Sequence, residues 1–241
     1  MKKISISLLT LLSLSFGFFP NFVSAETVFV SGSISEDTNW VSSNVYVINS
    51  SFVVEAGATL TISPGTVIKA RVSGVGGPSI YGRVVALGTE AEPIIFTSTN
   101  DDSLKGSLDE YESVGAPGDW QGLYFKQGST GDFDHVHLSY AGYGGSGYGN
   151  FVGIENDGGN LEIKNSTIFD NHRIVSNGAG GFITAGSGVW NKSGNLLIEN
   201  SLIENSLVGV RGDSGNISVS GTKIQKNVDS TGQGSGYGIY V

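Results

Sequence analysis

The sequence predicts an all-β fold of one kind, a right-handed parallel β-helix. This is a solenoid of roughly seven coils with its long loops on one side. Three observations carry the expectation. Glycine is abundant (37 of 241 residues), proline is scarce (five) and Val, Ile, Thr, Ser and Asn are frequent, the make-up of short strands punctuated by turns. A motif recurs along the second half of the chain. The surplus residues between recurrences fall in one place, as they must when every coil has to keep its strands in register with the next.

The motif is G-N-[LI]-x-[IV]-x-[NG]-[ST]-x-I, read at 159–168, 194–203 and 215–224. A Gly-aliphatic pair precedes each copy by six residues: Gly153-Ile154, Gly188-Val189 and Gly209-Val210, with a fourth pair at Gly238-Ile239. The pairs are 35, 21 and 29 residues apart. The shortest interval is one coil of three short strands and three bends. The excess in the longer two lies in Asn171 to Ser187 and Asn227 to Tyr237. Leu161 and Ile163 alternate with polar neighbours, as on a strand with one face inside, and Ile168 points inward again after the Asn165-Ser166 turn. Ser166, Ser201 and Thr222 are small enough to sit inside that turn. Asn165 and Asn200 are expected to form a side-chain amide ladder that stops at Gly221.

Upstream the repeat continues through Phe133 to Leu138 and Gly122 to Phe125. The runs Ile94 to Thr97, Val84 to Leu87, Val67 to Lys69 and Val45 to Ile48 are further strand candidates. Ser98 to Asp119 and the Gly/Tyr-rich Ala141 to Phe151 interrupt the stack. Long loops in compact domains often carry function, so these and the two late insertions are the expected binding side.

Residues 1–25 read as a signal peptide. Lys2 and Lys3 are followed by an apolar run from Ile4 to Phe19, and Val23-Ser24-Ala25 offers the small residues of a cleavage site after Ala25. The protein is therefore expected to be secreted or held at the cell surface, with no membrane span left after cleavage. Residues 26–44 are expected to be an N-terminal segment or cap, and 45–241 the β-helix. Loss of the two leader lysines takes the formal charge from −9 to −11, which disfavours nucleic acid and anionic lipid as partners. There is no cysteine, so disulfides, thiolate metal sites and a Cys nucleophile are excluded. No cofactor is expected. The acidity permits calcium without identifying a site for it.

The stretch from Tyr46 to Thr66, with Gly57-Ala58-Thr59-Leu60-Thr61-Ile62 and Pro64-Gly65-Thr66, resembles the first coil of bacterial surface and secreted proteins with right-handed parallel β-helix repeats. Gly88-Thr89, Pro93-Ile94, Phe96-Thr97-Ser98 and Pro117-Gly118-Asp119-Trp120 resemble that family's next landmarks, and the later Asn-Ser-x-Ile motifs its stacked coils. The resemblance covers nearly all of residues 40 to 241 and implies a pectate-lyase-like rod. Lyases, glycoside hydrolases, adhesins and structural proteins share that rod, so the fold does not select among them.

A hydrolase needs carboxylates converging on one face. Asp101-Asp102 and Asp109-Glu110 lie in one flexible excursion, and Asp134, Asp157, Asp170 and Asp213 are dispersed over bends. No polygalacturonase-like set is present. A lyase needs a basic group beside its substrate; Arg173 and Arg211 fall near the insertions, and Asp170 and Asp213 are their expected neighbours across coils. His135 and His137 read as a surface pair without a third metal ligand, and His172 opens an insertion. Tyr140, Tyr143, Tyr148 and Phe151 form an aromatic group suited to sugar rings. Trp40, Trp120 and Trp190 read as packing on the stack or its cap. The candidate ligand-binding residues are thus Tyr140, Tyr143, Tyr148, Phe151, Asp170, His172, Arg173, Arg211 and Asp213, with no catalytic or metal residue assigned.

The leading expectation is an exported, non-catalytic surface protein that binds polysaccharide or another cell-surface partner through its loop-bearing side. The alternative is a polysaccharide lyase or glycoside hydrolase with catalytic groups on the long bends. The last strand, Gly238 to Val241, opens a coil without closing it. An uncapped solenoid end exposes strand edges, so a C-terminal continuation or a capping partner is expected.

Overall fold

Parallel pairing between successive coils builds the molecule. A computed structural model describes residues 25–71, 77–108, 112–143, 151–176, 182–228 and 236–241; the expected leader, apart from Ala25, lies outside them. No helix occurs among the described residues, and the main sheet pairs its strands in parallel in a right-handed β-helix.

The pairings trace three faces. Face I stacks 32–34, 52–54, Ser79–Ile80, Leu123–Phe125, 152–156, 187–191, Val208–Gly212 and Tyr237–Tyr240. Face II stacks Thr38–Trp40, Thr59–Ile62, Arg83–Leu87, Thr130–Asp134, 160–164, 195–199 and Asn216–Ser220. Face III stacks 26–30, 44–48, Val67–Ala70, Ile94–Ser98, Val136–Ser139, Thr167–Phe169, Leu202–Glu204 and Lys223–Gln225. Residues 26–44, read from sequence as a terminal segment, contribute a rung of their own, because Val28, Val30 and Ile34 alternate inward onto the core.

Period-two alternation sends every second side chain inside. Leu60, Val84, Gly131, Leu161 and Leu196 form one interior column, and Ile62, Ala86, Phe133, Ile163 and Ile198 the next. Gly131 breaks the first column for a steric reason: a Cβ there would lie 2.6 Å from the Phe125 ring. Phe125 fills that gap and meets Phe133 edge-on at 5.8 Å, while Phe133 stacks on Phe96 at 6.0 Å.

The bend from face II to face III is held by hydroxyls. Asn165 and Asn200 adopt φ of 48° and 49°, which turns their side chains outward. The Asn165 carboxamide donates to Asp134 Oδ1 at 2.8 Å, and the Asn200 carboxamide oxygen fills the space left by Gly221. The expected Asn165–Asn200 ladder is therefore absent, and the next residue along the chain supplies one instead. Val136 N–H donates to Ser166 Oγ (3.0 Å), Ser166 N–H to Ser201 Oγ (3.1 Å) and Ser201 N–H to Thr222 Oγ1 (3.2 Å). Each hydroxyl donates in turn to a carbonyl of its own bend: Lys164, Glu199 and Ser220. At the bend from face I to face II, Asn156 Nδ2 donates to Asn191 Oδ1 at 2.7 Å and Asn191 Nδ2 to the Ser214 carbonyl.

The long connections all leave from the corner between face III and face I: 71–78, 99–122, 140–151, 170–186 and 226–236. One carries an antiparallel hairpin of Arg173–Ser176 with Phe182–Ala185. The excursion read as flexible is anchored. It covers the outside of face III, where the buried Lys69 ammonium donates to the Asp101 and Gly106 carbonyls at 2.8 and 2.7 Å. Thr97 Oγ1 donates to the buried Asp101 carboxylate at 2.7 Å, and Leu104 packs on Val45, Val47 and Val67.

Replacing Ser201 with Ala leaves the Ser166 N–H without its partner, while the Glu199 carbonyl keeps only the Asn165 N–H. Chemical denaturation is expected to show a loss of about 1–3 kcal/mol.

Candidate functional site

The register of face I places one side chain from each coil in a straight outer column. Ser79 lies opposite Tyr124, Tyr124 opposite Glu155, Glu155 opposite Trp190, Trp190 opposite Arg211 and Arg211 opposite Tyr240. Rungs are about 4.8 Å apart, so Tyr124, Trp190 and Tyr240 recur roughly every 10 Å along the rod. From Tyr124 onward each member directly follows a Gly-aliphatic pair. The aliphatic residue points inward, where Ile154, Val189 and Val210 are fully buried. The glycine is itself buried, and a Cβ on Gly153 or Gly188 would come within 2.6 or 2.9 Å of a carbonyl oxygen of the next coil. A buried glycine strip therefore lets successive coils approach closely beside the column.

Charges and rings interlock along this column. Glu155, with only 1% of its side chain exposed, receives Lys126 Nζ at 3.5 Å and Lys192 Nζ at 3.6 Å. Lys192 Nζ also reaches Asp157 Oδ2 at 3.2 Å. Arg211 Nε pairs with Asp213 Oδ1 at 3.0 Å, and Trp190 Nε1–H donates to Asp213 Oδ2 at 3.0 Å. The Arg211 guanidinium stacks on the Trp190 ring at 4.1 Å with Lys192 Nζ 5.5 Å from it, and Lys126 Nζ lies 5.2 Å from the Tyr124 ring. Burial, helped by the Glu155 charge, pushes the Tyr124 phenol far above the usual tyrosine range. Burial works against the Lys192 charge, yet Glu155 and Asp157 outweigh it and hold its pKa above the ordinary lysine value.

The residues singled out from sequence fall into separate places. Arg211 is on the column and Asp213 flanks it, and they pair along one strand end rather than across coils. Arg173 lies at the corner with its guanidinium 4.5 Å from the Tyr143 ring. Tyr140, Asp170, Asn205 and Lys226 occupy equivalent corner positions with φ between 53° and 64°. Tyr140 packs edge-on against Phe169 at 6.0 Å beneath Gly115, so it is part of the corner's packing. His172 Nδ1 bonds the Asn205 carbonyl at 2.8 Å. Burial raises the Asp170 pKa, and a hydrogen bond from Asn205 only partly offsets it. Phe151 is half-buried and its carbonyl accepts from Ser187 N–H; Tyr148 lies outside the described residues.

Tyr124, Lys126, Glu155, Trp190 and Lys192 were not singled out. Trp40 and Trp120 are buried in the stack as expected, but Trp190 lies on the outer face with a cation on its ring. The position after each Gly-aliphatic pair was the available sign. No group of three or more His, Asp or Glu side chains that could hold a metal ion occurs among the described residues.

A β-helix with an ordered outer column on one face defines the class of the molecule. A family model described as pectate-lyase like beta helix domain matches residues 32–165, more than half of the chain, and the chain belongs to that family, named for a polysaccharide lyase. The match includes Tyr124, Lys126, Glu155 and Asp157 and ends before Trp190 and Arg211. Comparison with curated proteins and with solved structures gave no match.

The raised Asp170 pKa has a definite sign. Its stabilising contribution is complete below the ordinary value of 3.8 and is lost as pH rises through the higher folded value. Asp170→Asn is therefore expected to raise the melting temperature at pH 7 and to lose that advantage near pH 3.5, as read by thermal unfolding across about pH 3 to 8.

Proposed function

We propose that this chain is an exported, non-catalytic β-helix surface protein that binds an extended polysaccharide along face I. The observation that carries the reading is the column Tyr124–Glu155–Trp190–Arg211–Tyr240. Two rungs span about the length of two linked pyranose rings, so successive aromatic positions match successive disaccharides of a chain lying along the rod. Ring edges and the aliphatic stems of Lys192 and Arg211 offer apolar surface to the C–H faces of sugars. The paired charges offer hydrogen bonds to hydroxyls. The corner loops border this face, which agrees with a loop-bearing binding side. Export rests on the leader expected over residues 1–25.

Two side chains of the column are poor candidates for a base. β-Elimination needs a group ready to take a proton. Lys192 holds its proton above the ordinary lysine range, and Tyr124 holds its own far above the tyrosine range. One observation favours the enzyme reading: the Glu155 and Asp157 carboxylates converge on the same Lys192 ammonium, as a hydrolase pair would converge on a glycosidic bond.

The test is retention on an immobilised polysaccharide panel with product analysis of the same incubations. Wild-type protein is expected to bind without releasing reducing or unsaturated sugars. Trp190→Ala is expected to weaken binding at least about tenfold while leaving the circular dichroism spectrum unchanged. Sugar release that Glu155→Gln abolishes would replace this reading with the enzymatic one.

A further inference from the structure

We infer that the ligand of face I is an uncharged polysaccharide and that Glu155 is the residue that sets this choice. The inference rests on the proposal that face I binds polysaccharide.

The column presents three cations, Lys126, Lys192 and Arg211, and each already faces a carboxylate. Lys126 and Lys192 face Glu155 at 3.5 and 3.6 Å, Lys192 also faces Asp157 at 3.2 Å, and Arg211 faces Asp213 at 3.0 Å. Three carboxylates thus balance three cations, and the strip is neutral as a whole. Arg173 stands apart at the corner, stacked on Tyr143. A uronate chain laid along the column would bring its carboxylates up to Asp157 and Asp213 and over the buried charge of Glu155. It would gain little from cations whose nearest counter-charges are in place. It would also approach a protein of formal charge −9. A hydroxyl-rich neutral chain meets none of this repulsion. It can still accept from the ammonium and guanidinium N–H groups and donate to the carboxylate oxygens of Asp157 and Asp213, the stronger kind of hydrogen bond.

Glu155 stands at the centre of the balance. It is the one carboxylate of the strip that is buried and is shared by two lysines, one on each of the coils flanking its own. Its neighbours on the column are the rings of Tyr124 and Trp190. Exposed Asp157 and Asp213 flank the column at its edge. Removing the Glu155 charge leaves Lys126 and Lys192 with one carboxylate between them, in the middle of the strip. That is a binding position for an acidic sugar.

The experiment compares a soluble neutral β-glucan with polygalacturonate as ligands for the full-length protein, by calorimetry or affinity electrophoresis. Wild type is expected to bind the neutral polymer at least about tenfold more tightly. That binding should change little from about 0.05 to 0.5 M NaCl. Glu155→Gln is expected to raise the ratio of polygalacturonate to glucan affinity about tenfold at low salt, with the gain disappearing at high salt. Asp213→Asn, an exposed substitution that leaves the stack intact, should shift the ratio in the same direction by less.

Wild-type preference for polygalacturonate, or a ratio that neither substitution moves, overturns the inference and leaves polysaccharide binding standing. Binding of neither polymer, or binding that Trp190→Ala does not weaken, removes the assignment of face I itself and the inference with it.

Discussion

Each coil of this protein hydrogen-bonds to the next in parallel, so a residue's position in one coil is fixed directly over its counterpart a rung away. Parallel strands cannot be joined by a tight hairpin, and the chain must go once around before it pairs with itself. That constraint makes the bends as important as the strands. A bend that changed length would shift a strand by one residue and send its apolar side chains to the solvent face. The Ser166–Ser201–Thr222 hydroxyls answer this by tying three consecutive bends together through backbone N–H groups. Asn156 and Asn191 do the same at the neighbouring bend. The third corner carries no such limit on length, and every long connection leaves from it.

The same constraint turns single residues into surfaces. One side chain per coil at the position after a Gly-aliphatic pair becomes a column, because the stack copies that position along the rod. Tyr124, Glu155, Trp190, Arg211 and Tyr240 are far apart in sequence and adjacent in space for this reason alone. Once adjacent, their chemistry is coupled. A carboxylate taken out of water next to lysines on two coils keeps their charges locally balanced, and a guanidinium lies over an indole ring.

The fold was legible because repetition and alternation are written into the chain. Leu161, Ile163 and Ile168 announced an inward face, and the Gly-aliphatic pairs set the coil length. The side of the insertions followed from counting residues. Particular side chains were harder. The ladder expected at Asn165 and Asn200 is made by the next residue, since a positive φ points one side chain out and the following one in. Acidic residues of the 98–119 excursion read as solvated, yet Asp101 is buried over Lys69, a contact spanning 32 positions that no local pattern displays. The column on face I was hard to read from sequence for a related reason. Tyr and Gly cluster in the loops, while the column is spread one residue at a time over five coils.

The three tryptophans offer the most direct test of the central claim, that ligand lies along face I. Trp120 donates its indole N–H to the Ser139 carbonyl inside the stack, Trp40 packs on Tyr46 at 4.4 Å, and Trp190 donates to Asp213 on the outer face. Indole N–H resonances followed by NMR while a neutral oligosaccharide is titrated report each environment separately. The account predicts that the Trp190 resonance moves saturably while those of Trp40 and Trp120 stay fixed. Saturable binding that leaves the Trp190 resonance in place would contradict it.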